Sequence, residues 1–304
     1  MLQGRGRRDH HFRGLPPRAG EPAGPRGTRA VGAEEQEPAG PGVPHLSVST
    51  AALPPGYVRG ALRGVELVSR DWAAEPLRRA LGAHGSLYSW AATQPDRTAL
   101  RGRGIAWTAT LAAGPEAHQV TPVVVRHTRH GGLFAGFTGD LFPLPTRAPR
   151  ELAAAVRLAA GGVPTPEIIA YTVHPVARFL ARSDVMTRRL PDGRDFPEAW
   201  RAHQSPAAKT AVIEAVATLL RALSALGAQH PDLNVKNVYI AGEGAAATAY
   251  ILDVDRVTFG DAPQAAARNF ARFARSARKW NDVHGLRVSD DALVRLAALA
   301  WVEQ

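Results

Sequence analysis

His230-Pro231-Asp232-Leu233-Asn234-Val235-Lys236-Asn237 and, further on, Ile251-Leu252-Asp253-Val254-Asp255 are the stretches that decide how this chain folds. The first fits the pattern H-x-D-L-x-x-x-N. In a site that moves a phosphoryl group, the Asp of that pattern accepts the proton of an acceptor hydroxyl and the Asn holds a metal ion. A second carboxylate must then reach the metal from a nearby strand. Asp253 closes the short apolar run Tyr250-Ile251-Leu252, as a buried strand delivering one carboxylate would. An isolated H-x-D is common and also describes a turn in which Asp bonds its own backbone. Here the letters stand in register, and Val238-Tyr239-Ile240, a turn with Gly242 and Gly244, and the strand bearing Asp253 follow in order. Taken together they read as a phosphotransfer site.

The elements upstream agree with that reading. Ser205 can cap a helix from Pro206 to Leu226, with Val212, Val216, Leu219, Leu220 and Leu223 at helical spacing and Gly227 at its end. Kinases place a long helix there, just before the catalytic loop. They also set a cation at the end of an earlier strand, on the α/β-phosphates, oriented by a Glu from the next helix. Val123-Val124-Val125-Arg126 is the strand in register, Arg126 the cation and Glu151 its candidate partner. Glu151 lies early in an Ala-rich helix opened by Pro149, where a solvated Glu facing the helix N-terminus is the simpler reading. Gly102-Arg103-Gly104 reads as a reduced phosphate-approaching loop or as an ordinary hairpin turn. Residues 167–173 and 179–190 read as further strands leading to a hinge, and residues 71–81 as a short helix ended by Gly82.

These stretches resemble the lipopolysaccharide kinase family, which includes Kdo kinases and core heptose kinases. Asn234 stands where protein kinases carry Lys, as the family does. Asp253-Val254-Asp255-Arg256 is similar to its Asp-Phe-Asp-Arg, with Val for Phe. Val123-Val124-Val125-Arg126-His127-Thr128-Arg129-His130-Gly131-Gly132 resembles its strand ending in Arg-His-Tyr-Arg-Arg-Gly-Gly, with Thr128 and His130 as departures. The resemblance spans roughly residues 95 to 282. It implies ATP as donor, a Kdo or heptose hydroxyl of the lipopolysaccharide inner core as acceptor, and Arg rather than Lys at position 126. Gly131-Gly132 is either a flexible link or part of the acceptor site.

Composition sets the outer bounds. The 304 residues suffice for one two-lobed enzyme, there is no cysteine for a disulfide or thiolate metal site, and the formal charge of +10 favours an anionic partner. Residues 1–48, rich in Gly, Pro and Arg, read as a disordered extension. The absence of an apolar signal-peptide core or membrane span leads to the expectation of a cytoplasmic protein, at most resting on the inner face of the inner membrane. Residues 265–280 read as an amphipathic helix: Phe270, Phe273, Ala277 and Trp280 face one way, and Arg268, Arg272, Arg275 and Lys279 form a basic side suited to anionic lipid or lipid A phosphates. Ser289 can cap a last helix through Trp301.

The expectation is therefore an α+β, protein-kinase-like fold with a β-rich lobe over 49–190 and a helical lobe over 191–304. Asp232 is the base, Asn237 and Asp253 are Mg²⁺ ligands with Asp255 as an additional or supporting one, and Arg126, Glu151, Gly102 and Gly104 serve ATP. Aminoglycoside-type phosphotransferases share the loop pattern, and a catalytically inactive nucleotide-binding scaffold is the alternative of another class. Nucleic-acid binding has only the charge in its favour.

Overall fold

The computed structural model describes residues 52–101, 104–116, 118–128 and 140–300. Residues 1–48, Gly102, the run Arg129-His130-Gly131-Gly132 and Trp301 lie outside them, so the readings placed on those positions are not addressed by the fold.

The first half is a sheet with helices on both faces. Its elements are β1 (Tyr57–Leu62), β2 (Val65–Arg70), α1 (Ala74–His84), α2 (Leu87–Thr93), β3 (Thr98–Arg101), β4 (Ile105–Leu111), β5 (Thr121–His127), β6 (Phe142–Pro143), α3 (Ala148–Ala160), β7 (Ile168–Ala177) and β8 (Leu180–Arg188). The main strand order is β1-β2-β7-β8-β5-β4-β3, with β6 pairing to β8, and the neighbours are antiparallel. Side chains alternate across a strand, which decides where β5 sends its residues. Val123 and Val125 pack with Leu77, Leu87 and Trp90 of α1 and α2 in one core. Arg126 points the other way, toward α3.

Two features depart from the expectation. The hairpin β1–β2 adds an edge to the sheet from a stretch whose sequence signal is mixed. The first helix runs through Gly82 to His84 and stops at Gly85, whose φ of 76° supplies the left-handed cap. A helix tolerates an interior Gly, and it ends where the left-handed turn is made.

The second half contains β9 (Gly193–Asp195), α4 (Phe196–Ala202), α5 (Pro206–Ala225), β10 (Ala228–Gln229), β11 (Val238–Ala241), β12 (Thr248–Ile251), β13 (Thr258–Phe259), α6 (Ala262–His284) and α7 (Asp290–Ala300). Ser205 caps α5 by accepting the Ala208 N–H at 3.2 Å, with Pro206 in the first turn. Val216, Leu219 and Leu223 of α5 join Leu152 of α3, Tyr171 of β7 and Phe273 of α6 in one continuous core. The sheet and the helical part therefore share an interior, and the loops between α5 and α6 are held against it. The order of a cation-bearing strand, a helix, two strands, a long helix, a loop and a short hairpin is that of a protein-kinase-like α+β fold.

Candidate active site

The loop from His230 to Asn237 is fixed by its own side chains. Asn234 Oδ1 accepts the N–H groups of Lys236 (2.9 Å) and Asn237 (3.2 Å), so the Asn caps the turn that follows it. Its Nδ2 donates to Asp232 Oδ1 at 3.2 Å, holding the carboxylate in place. Asn237 is buried, and its Nδ2 donates to the Asp232 carbonyl at 2.8 Å. Asp232 itself is exposed to solvent.

His230 ties the loop to the second acidic segment. Its Nδ1 accepts the Asp232 N–H at 3.1 Å, so the proton sits on Nε2, which donates to the Leu252 carbonyl at 3.1 Å. Burial holds its pKa below the ordinary value, against the opposing pull of the Leu252 carbonyl and of Asp253, and keeps the ring neutral at pH 7. Leu252 also donates its N–H to the Asn237 carbonyl at 2.9 Å, locking the two segments side by side. Asp253 is in the left-handed region at φ 60°, ψ 53°. That conformation is uncommon outside glycine, and such residues cluster where a side chain must be aimed.

Arg126 and the buried Glu151 form a close ion pair between β5 and α3. Glu151 raises the Arg126 pKa, and the charges of Asp253 and Asp255 add to it, so the strand cation and the acidic segment act on one another. Burial raises the Glu151 carboxyl, and Arg126 works against that rise. Asp255, its side chain largely buried, is paired with Arg147 at 3.2 Å. Burial and the neighbouring Asp253 push its carboxyl up, with Arg147 opposing. The fold thus sets the Arg126–Glu151 pair beside the Asp253–Asp255 segment, and His230 and Asn237 tie that segment to the loop that carries Asp232. Gly104 precedes β4 at the sheet edge, beyond these contacts.

The donor set suits a hard divalent ion. Asn237 commits its nitrogen to Asp232, which leaves Oδ1 as an acceptor beside the Asp253 segment. Among the described residues no three His, Cys, Asp or Glu gather into a self-sufficient metal cage. One or two carboxylates and an amide oxygen, completed by waters and phosphate oxygens, is the arrangement Mg²⁺ favours.

The model of the lipopolysaccharide kinase (Kdo/WaaP) family matches residues 89–289, a span that holds every one of these groups. The chain belongs to that family. It is similar to the 3-deoxy-D-manno-octulosonic acid kinase of Actinobacillus succinogenes, 26% identical over 207 residues, 62% of this chain and 78% of that protein. The enzyme of the same name from Photobacterium profundum is 26% identical over 182 residues, 58% of this chain and 70% of that protein. The solved structure of WaaP in complex with acyl carrier protein is similar at a TM-score of 0.46 and 19% identity, over 76% of this chain and 88% of that one. This lipopolysaccharide kinase is thus a phosphotransferase with an alcohol group as acceptor.

Three supports of the kinase site were missed by reading the sequence. Asn269 of α6, wholly buried, accepts the His230 N–H (3.0 Å) and donates to the Ala228 carbonyl (2.8 Å). Ser276 accepts the Val235 N–H at 3.1 Å. Arg147 holds Asp255. An Asn on the inward stripe of an amphipathic helix was the one legible hint, since a buried amide demands partners.

Proposed function

We propose that this kinase transfers the γ-phosphate of ATP to a hydroxyl of Kdo in the lipopolysaccharide inner core. Both named relatives are 3-deoxy-D-manno-octulosonic acid kinases, which favours Kdo over a core heptose. The observation that supports the phosphotransfer reading is the bonding of the Asp232–Asn237 loop to the Asp253 segment, on which the charge of the Arg126–Glu151 pair acts.

In this proposal Asp232 orients the acceptor hydroxyl and takes its proton, a contribution of roughly 10²–10⁴-fold. Asn234 and His230 hold Asp232 in place, one through its carboxylate and the other through its N–H. Asn237 and Asp253 present the oxygens that hold Mg²⁺, and Asp255 supports them through Arg147 rather than facing the nucleotide freely. Mg²⁺ held there would supply positive charge against that of the transferring phosphate. Arg126 grips phosphate with its planar fork, and Glu151 aims it. Gly104, and Gly102 outside the described residues, are proposed to serve the nucleotide. The lobes divide near residue 190.

We further place the enzyme against the inner membrane's inner face. No helix among the described residues is long and apolar enough to cross a membrane. On α6, Arg268, Arg275 and Lys279 are exposed while Phe273 and Ala277 are buried, so the basic side is available to anionic headgroups, at ~1 kcal/mol per nearby cation. Arg272 is only half-exposed and belongs less to that surface.

An acceptor panel tests the reading: lipid A precursor bearing Kdo, the same lipid lacking it, and a heptose-bearing core. Phosphate on the Kdo-bearing lipid alone is expected; transfer only to the heptose-bearing core would move the assignment to the other branch of the family.

A further inference from the structure

The β7–β8 hairpin ends in an apolar tip. Val176, Phe179 and Leu180 are 50%, 69% and 37% exposed, three of the nine exposed large apolar side chains among the described residues. Scattered singly such side chains are ordinary, but three within five residues of one turn make a patch. Phe179 is the one aromatic among the nine, and its area is the most costly to leave in water. The register keeps these residues outside the sheet. Pro175 pairs with Ala181 and Ala177 with Leu180, so a bulge falls at Val176 and Arg178-Phe179 is the turn itself.

Charge and backbone bonding indicate what the tip meets. No acidic residue occurs between Glu167 and Asp184, while Arg178 and Arg182 flank the apolar cap. Arg182 is paired with Asp140 at 2.9 Å, whereas the Arg178 guanidinium lies over the exposed Phe179 ring, 5.2 Å from its centroid. A cation resting on an aromatic ring suits the boundary between anionic headgroups and acyl chains. The backbone at the tip is already bonded internally. Leu180 and Ala181 pair with β7 on one side and β6 on the other, and the Phe179 carbonyl accepts the Leu144 N–H at 3.0 Å. Such a backbone loses little when water leaves it. A stable protein partner would take roughly 800 Å² from each side, more than a five-residue tip presents, whereas a bilayer needs only that the tip enter it.

We propose that the tip of the β7–β8 hairpin anchors this kinase to an anionic lipid bilayer. Val176, Phe179 and Leu180 enter the boundary between headgroups and acyl chains, and Arg178 meets the lipid phosphates. The choice of a bilayer as occupant rests on the membrane placement above, to which the basic side of α6 contributes charge alone. The two contributions differ in kind: attraction through α6 is screened by salt, and burial of the apolar tip is not.

The test uses the full chain, vesicles of phosphatidylethanolamine and phosphatidylglycerol, and the variants Phe179→Ser and Val176→Ser/Phe179→Ser/Leu180→Ser. Val294→Ser, at an exposed valine of α7, is the control. Partition onto vesicles is measured by co-sedimentation at low and at high salt. The wild type and the control are expected to bind in both. The triple variant should bind about 10-fold less tightly at low salt and not at all at high salt, with Phe179→Ser between. Equal partition of the wild type and the triple variant overturns the proposal, as does a wild type that binds no vesicle. Self-association of the wild type that the triple variant loses, with vesicle binding unchanged, would assign the tip to a second copy of this chain instead. Binding lost in the tip variants but unchanged in Arg275→Gln/Lys279→Gln would fault the α6 contact and uphold the tip. Vesicle binding requires no sugar acceptor, so tip-dependent binding without transfer would fault the acceptor reading alone.

Discussion

Asn269 Oδ1 accepts the backbone N–H of His230 at 3.0 Å, and through this bond a helix that follows the acidic segment fixes the start of the catalytic loop. Its Nδ2 satisfies the Ala228 carbonyl on the strand before the loop, so one buried amide spans both sides of the entry.

Asn269→Ala should therefore destabilise the protein by about 2–3 kcal/mol, since two buried backbone groups lose their partners. Chemical denaturation measures this directly. Below the midpoint, the folded variant should still bind ATP but transfer phosphate more slowly, because His230, which holds the Asp232 N–H, loses its own anchor. Unchanged stability would mean that water replaces the amide.

Arg126→Met should cost about 3 kcal/mol by leaving Glu151 buried and unpaired, and should raise the KM for ATP. Adding Glu151→Gln should restore much of the stability without restoring activity. That split separates a phosphate-gripping role from a purely structural one. Recovery of activity in the double variant would refute the assignment of Arg126.

The pH dependence follows from His230. Its folded pKa lies below the unfolded value of about 6.5, so the unfolded chain takes up a proton first as pH falls. The stability of the neutral ring is present above about pH 6.5 and is lost below it. The denaturant midpoint of the wild type should fall between about pH 7.5 and 5.5, and His230→Gln should show a shallower fall. His174, whose pKa burial also lowers, stays in both proteins and cancels in the comparison.

Gly227→Ala should be more damaging than the loss of one hydrogen atom suggests. Gly227 has φ 60°, and a Cβ there would collide with the Gly260 carbonyl oxygen; the Gly260 N–H in turn bonds the Gly227 carbonyl at 2.9 Å. A left-handed position and a backbone contact both refuse the methyl group, and a loss of more than ~1 kcal/mol is expected in thermal melts.

What the sequence made legible was local. H-x-D-L-x-x-x-N, the strand ending at Asp253, and the Ser205-Pro206 start of α5 each carry their signal within a few residues, and the structure has elements at those places. The pairing of Arg126 with Glu151 could be framed because kinase order predicts it. The sheet-edge hairpin of β1 and β2 was not legible. Its strands are partly exposed and the first is interrupted by Gly60, so neither clean alternation nor a long apolar run marks them. Arg147 and Ser276 were hidden for another reason. Each is joined to its partner across the chain, Arg147 to Asp255 and Ser276 to Val235, and no spacing rule reaches across a fold. The basic side of α6 read as uniform in sequence, yet Arg272 turns partly inward while Arg275 and Lys279 remain exposed.

The most direct measurement is transfer of label from γ-labelled ATP, with Mg²⁺, to Kdo-bearing lipid A precursor by the wild type and by Asp232→Asn. Labelled glycolipid from the wild type, with a loss of roughly 10²-fold or more in the variant, is the predicted result. Equal transfer by the two proteins would contradict the role of Asp232, and ATP binding by the wild type without any transfer to this lipid would contradict the acceptor.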